Sequence, residues 1–372
     1  MKRIFISAFL SCFTMVTFAQ DYQFTTTVDL EATPVISQGQ TGTCWSFSTS
    51  SFLESEIIRL TGKQIDISEM YNVRNTYPKK AWNYVMRQGK AQFSEGGLAH
   101  DVMNSVKSHG LVPTSAYSGL QALQQYHNHA EMVAVLKAML DVYIKNPAGK
   151  LSSNWKAAIE NVLDVYLGKR PESFTYQGKT YTPKSFLEMT KINPDDYVTL
   201  TSFTHQPYYK PFILNIPDNF SNGSFYNVTL DELVAATKNA LKTGYTVELD
   251  CDVSESTFSA KYAVATIPED AIRREEFSAE IRKEKNITPN YRQQEFENYT
   301  TTDDHLMHIT GMATDQNGND YFRVKNSWGS NTERVPNDGH VNMSEAFFKL
   351  KTISIMVHKD ALPKTLRKKL NL

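Results

Sequence analysis

Apolar positions recur at helical spacing behind a glycine-flanked loop: Leu53, Ile57 and Leu60 share one side of a run that begins at Cys44. Gly39 and Gly42 permit a tight, irregular loop, Thr43 suits an N-cap, and Gly62 suits a left-handed stop. The pattern predicts a helix over 44–60, entered from an extended segment over 20–37. A second helix starts at Ile67-Ser68-Glu69-Met70-Tyr71 with Ser68 as its cap, and a third covers 98–108, closed by Gly110 and Pro113. Residues 120–167 read as helical, broken at Asn146-Pro147-Ala148-Gly149. Residues 168–228, rich in Tyr, Phe, Thr, Asn and Pro, read as loops and strands with a short helix near 183–190. Thr229 and Glu232 have capping-box spacing for a helix that ends before Gly244, and 245–250 alternates as a strand. Residues 268–300 are charged with few apolar positions, which predicts a solvated helix or surface excursion.

The N-terminus has a different pattern. Lys2 and Arg3 precede an apolar run from Ile4 to Phe18, and Ala19 comes next. This reads as a secretory signal peptide cleaved after Ala19, giving a secreted or periplasmic protein. The run is short for a membrane span. A lipoprotein anchored at Cys12 is the alternative, and Phe9-Leu10-Ser11 matches a lipobox poorly. After cleavage Cys44 and Cys251 remain, too few for a disulfide scaffold. A chain of 372 residues with net charge -1 allows one large domain or two lobes, and its charge balance excludes a polyanion-binding surface, so no nucleic-acid partner is expected.

Cys44 at a helix start is placed where unpaired N–H groups favour a thiolate. Gln38, six residues earlier, offers an amide that can donate to an oxyanion beside the Cys44 N–H. A base is expected in Asp304-His305-Leu306-Met307-His308-Ile309-Thr310-Gly311, which a hairpin at Asn317-Gly318 joins to a second strand ending at Asn326. A two-residue turn would pair Ile309 with Asn326 and put Asn326 on the face of His305, not of His308. The same count leaves His305 and Asn326 four residues apart along the strands. His127 and His129 have no acidic or thiol partner beside them, so no metal site is expected, and no cofactor motif stands elsewhere.

The segment Gln38-x5-Cys44-Trp45-x-Phe47 resembles the active-site segment of papain-like cysteine peptidases, as does a histidine six residues before Gly311, followed by Asn326-Ser327-Trp328-Gly329. The resemblance implies that Cys44 is the nucleophile, His305 the base and Asn326 its orienter. It implies that Gln38 is an oxyanion donor, that Trp328 shields the His305–Asn326 bond, and that Gly96 and Gly97 pair with the substrate backbone. Thr41 and Ser94-Glu95 stand where such enzymes usually carry a disulfide. That departure and the long Cys44–His305 interval are similar to the bleomycin hydrolase and aminopeptidase C branch. So are His109-Gly110-Leu111-Val112-Pro113, 167–174, Cys251-Asp252-Val253 and Ile355-Met356-Val357.

The resemblance implies an α+β, papain-like fold with the signal over 1–19, a helical lobe over 20–195 enlarged by an insertion near 115–195, and a β-rich lobe over 196–372. The implied activity is that of an exported cysteine peptidase on peptide substrates, releasing N-terminal residues. An endopeptidase, a cysteine-dependent acyltransferase and a non-catalytic peptide-binding module are the alternatives, and a homo-oligomer stays open. In this branch a C-terminal arm reaches the cleft; here the tail after Pro363 looks truncated and carries four cations, and Leu366 and Leu370 at helical spacing predict surface docking.

Overall fold

Gly62, with φ 69°, closes the first helix by donating its N–H to Ile58 O at 2.7 Å, so α1 runs over Cys44–Thr61. In the computed structural model, which describes residues 21–122, 124–330 and 332–372, every α1 residue from Cys44 to Ile57 is buried. The expected apolar stripe is therefore too narrow a description. The helix is covered on all sides, and its small hydroxyl residues let neighbours approach while satisfying themselves on carbonyls. Ser46 donates to Glu69 O (2.8 Å), Ser48 to Met307 O (2.5 Å) and Thr49 to Trp45 O (2.7 Å). Thr43 occupies the N-cap position without a side-chain cap bond; its hydroxyl meets that of Thr41 instead.

Ser68 caps α2 (Glu69–Met86) by accepting the Tyr71 N–H at 3.0 Å. Next come α3 (Ala99–His109), α4 (Ala130–Lys145) and α5 (Asn154–Leu167). The described residues of 120–129 stay non-helical, and Asn146 ends α4 in the left-handed region. The insertion packs on α2 through Trp155, Ile159 and Leu163, and buried Arg74 pairs with Glu160 and Asp164. A capping box at Thr182 starts α6 (Pro183–Thr190) and another at Thr229 starts α7 (Leu230–Lys242). Three short helices complete the set: α8 (Pro289–Glu297), α9 (Glu345–Lys351) and α10 (Lys364–Leu370). The solvated helix expected within 268–300 is docked instead: Arg292 is 1% exposed and donates to the carbonyls of Ser202, Lys349 and Leu350. Leu366 and Leu370 bury α10 against the sheet side, with Lys369 on Glu232 and Tyr209.

The strands are β1 (Thr25–Asp29), a small hairpin of β2 (Phe174–Tyr176) and β3 (Lys179–Tyr181), then β4 (Tyr197–Thr201), β5 (Pro211–Ile213) and β6 (Ser224–Asn227). They continue with β7 (Val247–Cys251), β8 (Phe258–Ser259), β9 (Val264–Ala265), β10 (His305–Thr314), β11 (Asp320–Lys325), β12 (His340–Ser344) and β13 (Thr352–His358). One sheet runs in the order β5-β6-β4-β13-β7-β10-β11-β12-β9-β8, with β1 added on β10. The first strand thus crosses from the half assigned to helices into the sheet, so a boundary at 195 does not separate the two halves cleanly. α1 lies against β10 and β7 and under α2 and α3, which brings its N-terminus to the first residues of β10. The proposed signal peptide, with Cys12 and Ala19, lies outside the described residues.

Candidate active site

Cys44 opens α1 and its thiol rests against the backbone N–H of Leu306, the residue after His305. His305 opens β10, and its Nε2 donates to Asn326 Oδ1 at 2.8 Å. The N–H of Ser327 donates to that same atom at 2.7 Å, which identifies it as the oxygen. With Nε2 carrying the hydrogen, Nδ1 is left as the basic nitrogen of the neutral ring. Trp328 lies over the imidazole at 5.0 Å between centroids and 32° between planes, and Phe258 packs edge-on against the indole. The His305–Asn326 bond is thereby covered by an aromatic wall.

Gln38 is laced to the same segment. Its N–H donates to Ser327 O (2.8 Å), its Oε1 accepts from Ser327 Oγ (2.6 Å), and its Nε2 donates to Thr41 O (2.7 Å). These bonds orient the amide and leave one Nε2 hydrogen for an oxyanion. Cys44, as the first residue of α1, supplies a second N–H without an intrahelical acceptor.

Burial opposes charge on both partners. It pushes the Cys44 thiol up to about 12, against the Leu306 N–H, and the charges of Asp303, Asp218 and Asp250 push the same way. Burial lowers the His305 imidazole to about 4, against its bond to Asn326. Burial in this closed cleft opposes the thiolate that the helix N-terminus favours. Moving one proton from Cys44 to His305 makes two adjacent opposite charges whose attraction offsets part of the desolvation cost.

The strand register explains how His305 reaches Asn326. The connection between β10 and β11 holds three residues between Asp315 and Asn319, with the Asp315 N–H on Asn319 O (3.1 Å) and the Gly318 N–H on Asp315 O (3.0 Å). Thr314 pairs with Asp320, and a bulge between Ile309 and Gly311 then brings Ile309 opposite Val324. Each irregularity moves the register by one. Ile309 therefore faces Val324 and not Asn326, parity is kept, and the separation of His305 from Asn326 falls from four residues to two. His308 faces the other way: it is 1% exposed, bonded through Nδ1 to Ser51 Oγ (2.9 Å) and packed edge-on against Phe52.

Residues 83–372 match the model of the Peptidase C1-like family. The chain belongs to this family. Aminopeptidase C of Listeria monocytogenes is 24% identical over 89% of this chain and 81% of its own length. Aminopeptidase G of Lactobacillus delbrueckii subsp. lactis is 24% identical over 90% and 83%. The crystal structure of PepW from Lactobacillus rhamnosis superposes with a TM-score of 0.74 at 18% identity, covering 93% of this chain and 84% of that one. The fold is α+β and papain-like, and the chain is a cysteine peptidase.

In this Peptidase C1-like chain, Gly97 lies on Trp45: a Cβ there would stand 3.0 Å from the indole, whose Nε1 donates to Glu95 O at 2.9 Å. At Gly96 a Cβ would fall 2.0 Å from Asp218 Oδ2, so this edge is met by a carboxylate. Asp218 sits in the loop-rich stretch after 168 and carries no sequence signal of its own. In place of a disulfide between this loop and α1, the Thr41 hydroxyl and the Gly42 N–H both donate to Glu95 Oε2, at 2.9 and 2.5 Å. A polar clamp holds the loop. His129 takes part, its Nδ1 meeting the Thr41 hydroxyl at 2.8 Å.

Behind α1, a cavity of about 340 Å³ is lined by Ser51, Glu54, Glu69, His308 and Lys325 among others, and not by Cys44 or His305. Carboxylate oxygens of Glu54, Asp66 and Glu69 lie within 4.8 Å of one another there. Burial pushes Glu54 up to about 7 and Glu69 well above the usual range, while Lys325 opposes both. Lys325 donates to Ser51 Oγ (2.7 Å) and Thr33 Oγ1 (3.0 Å). This second polar centre braces α1 from the side away from Cys44.

Proposed function

We propose that this protein is an exported aminopeptidase that hydrolyses peptide bonds through Cys44, His305 and Asn326. The observation that carries the reading is the His305 Nε2–Asn326 Oδ1 bond beside the Cys44 thiol, because it fixes Nδ1 as the proton acceptor. Cys44 Sγ attacks the substrate carbonyl as its proton passes to His305 Nδ1. The oxyanion meets the remaining amide hydrogen of Gln38 and the Cys44 N–H. His305 returns the proton to the departing amine, leaving a thioester. Water then attacks with its proton taken by His305, and collapse of the second tetrahedral species releases the acid and restores the thiol.

N-terminal specificity rests on the relatives named aminopeptidase C and aminopeptidase G, and export rests on the Lys2-Arg3 start and the apolar run to Phe18. The test is product analysis on one unblocked peptide of about ten residues. Stepwise release of its first residues, lost in Cys44→Ala, supports the reading. Internal fragments would favour the endopeptidase alternative, and adducts with an added amine would favour acyl transfer.

A further inference from the structure

The charged stretch over 268–300 does more than dock Arg292. Its segment 272–277 turns back over the β8–β9 hairpin, with Ser256 Oγ donating to Ile272 O (2.6 Å) and Tyr262 packed edge-on against Phe277 at 5.9 Å. Together with the loop after β11 it forms a cleft of about 440 Å³ that Trp328 and Phe258 help to line. Trp328 belongs to two places at once. Its indole lies over His305 at 5.0 Å between centroids, and where Phe258 meets it, at 5.9 Å and 78°, the cleft begins. His305 hands its proton to the departing amine, so the departing fragment starts at the imidazole. A residue spans only about 3.3–3.6 Å of extended chain. The side chain of the fragment's first residue, or the carboxylate that ends a one-residue fragment, therefore comes against the indole.

The charge around this cleft is uneven. Lys261, Arg274 and Arg334 line it against one acid, Glu275. Glu275 is answered from outside the lining, by Arg273 Nη1 at 3.6 Å. Arg274 is held at the rim by Nη2, which donates to Ser254 O (3.0 Å) and Glu255 O (2.9 Å) and leaves its other N–H groups for a ligand. Lys261 lies over the Tyr262 ring at 5.3 Å. Neither Lys261 nor Arg334 forms an ion pair among the described residues. Like charges lining one cleft repel, and an arriving anion relieves that repulsion. The anion that an unmodified peptide carries is a carboxylate, which a guanidinium takes through paired N–H bonds.

We propose that the cleft beyond Trp328 receives the first residue of the departing fragment and favours a carboxylate there, with Lys261, Arg274 and Arg334 as the specificity-determining residues. The carboxylate comes from an Asp or Glu side chain or from the C-terminus of a dipeptide. This specificity deepens the peptidase reading above and rests on its Cys44–His305 chemistry.

The experiment uses the full-length enzyme and C-terminally amidated hexapeptides that differ only in their second residue, Asp, Ala or Lys. Release of the first residue is followed by mass spectrometry, and the readout is the ratio of kcat/KM between the peptides. Wild type is expected to favour Asp over Lys by about tenfold, less as salt rises from about 0.05 M to about 0.5 M. Arg334→Gln and Lys261→Gln should each lower that ratio severalfold, and Arg334→Glu should turn it toward Lys. A folding defect lowers all the rates together and leaves the ratio unmoved. Ala-Ala as free acid and as amide separates the two sources: preference for the acid assigns the cleft to a terminal carboxylate, and preference among the hexapeptides assigns it to a side chain. A wild-type ratio near one with no preference for the Ala-Ala acid, or a preference that Arg334→Glu and Lys261→Gln leave unchanged, overturns the assignment while the peptidase reading stands. If no peptide is cleaved, or Cys44→Ala cleaves them equally well, the peptidase reading fails and this specificity with it. Cleavage at an internal bond rejects N-terminal release alone, and the ratio is then decided with Asp, Ala or Lys placed after that bond.

Discussion

His305 Nε2 and Asn326 Oδ1 meet at 2.8 Å across β10 and the end of β11, and the Asn326 N–H is itself held by Gly339 O at 3.2 Å. Asn326 is therefore anchored by its backbone before its side chain reaches His305. His305→Ala should lower kcat/KM by about 10²–10⁴, the usual range for removing an acid–base group. Asn326→Ala should lower kcat by less and leave KM near its original value, since the ring stays but its tautomer is no longer held. His308→Ala should keep kcat/KM within about threefold while lowering stability by roughly 1–3 kcal/mol, as a buried, bonded ring is lost. Steady-state kinetics beside urea unfolding decide all three. A larger kinetic loss at His308 than at His305 would reverse the assignment.

Gly311 borders the β10–β11 bulge and also seats β1 on β10. A Cβ at Gly311 would stand 2.2 Å from the carbonyl oxygen of Val28 on β1, which is backbone and cannot swing aside. Gly311→Ala should therefore destabilise the protein by about 1–3 kcal/mol, as overpacking does. Because β1 is the added strand on β10, hydrogen exchange should rise first over 25–29. Unchanged stability would show that β1 yields without cost.

The helix starts at Ser68 and Thr229 were legible because local side-chain capping sets them, and both bonds form. Which histidine shares a face with Asn326 was legible through parity, which survives a register change of two. The distance was not, since Asn317-Gly318 signals a turn without stating its length, and a bulge between Ile309 and Gly311 has no local signature. The burial of α1 on every side was also hidden, because its serines and threonines read as polar until their carbonyl partners are in place. Asp218 was invisible for a related reason. Its neighbours Gly96 and Asp303 are brought to it by tertiary packing alone.

Alkylation separates the two cysteines. Cys44 is 8% exposed and opens onto the cleft, whereas Cys251, paired with His305 across β7 and β10, is fully buried. Iodoacetamide should label Cys44 first, with loss of activity tracking that label by peptide mass mapping, and Cys44→Ala should be inactive. With burial pushing the thiol up to about 12 and the imidazole down to about 4, the labelling rate should climb steadily from about pH 6 to about pH 9. A flat rate across that interval would mean a preformed ion pair.

Gln38 is held on both ends of its amide, by Ser327 Oγ and Thr41 O. Gln38→Ala should reduce kcat by about 10²–10³, the range for losing one oxyanion donor. Ser327→Ala leaves the amide in place but frees its rotation, so a smaller loss in kcat is expected. Equal losses would indicate that the Ser327 contact, and not the donor, carries the effect.

Glu248 gives a pH-dependent prediction. It lies on β7, fully buried, with its Oε1 3.2 Å from Ser48 Oγ of α1. Burial pushes its carboxyl from 4.5 up to about 8; the Ser48 bond opposes the shift and the charge of Asp303 adds to it. The folded protein thus keeps a proton that the unfolded chain releases above about 4.5. The stability tied to this proton is complete below that pH and is lost as pH rises toward 8. Glu248→Gln keeps a neutral group of the same shape with nothing to release. The unfolding free energy of the variant relative to wild type should therefore increase between about pH 5 and about pH 8, by on the order of a few kcal/mol. Urea titrations at several pH values measure it directly. Parallel curves for the two proteins would show that Glu248 is ionised in the folded state and that Ser48 and its surroundings accommodate the charge.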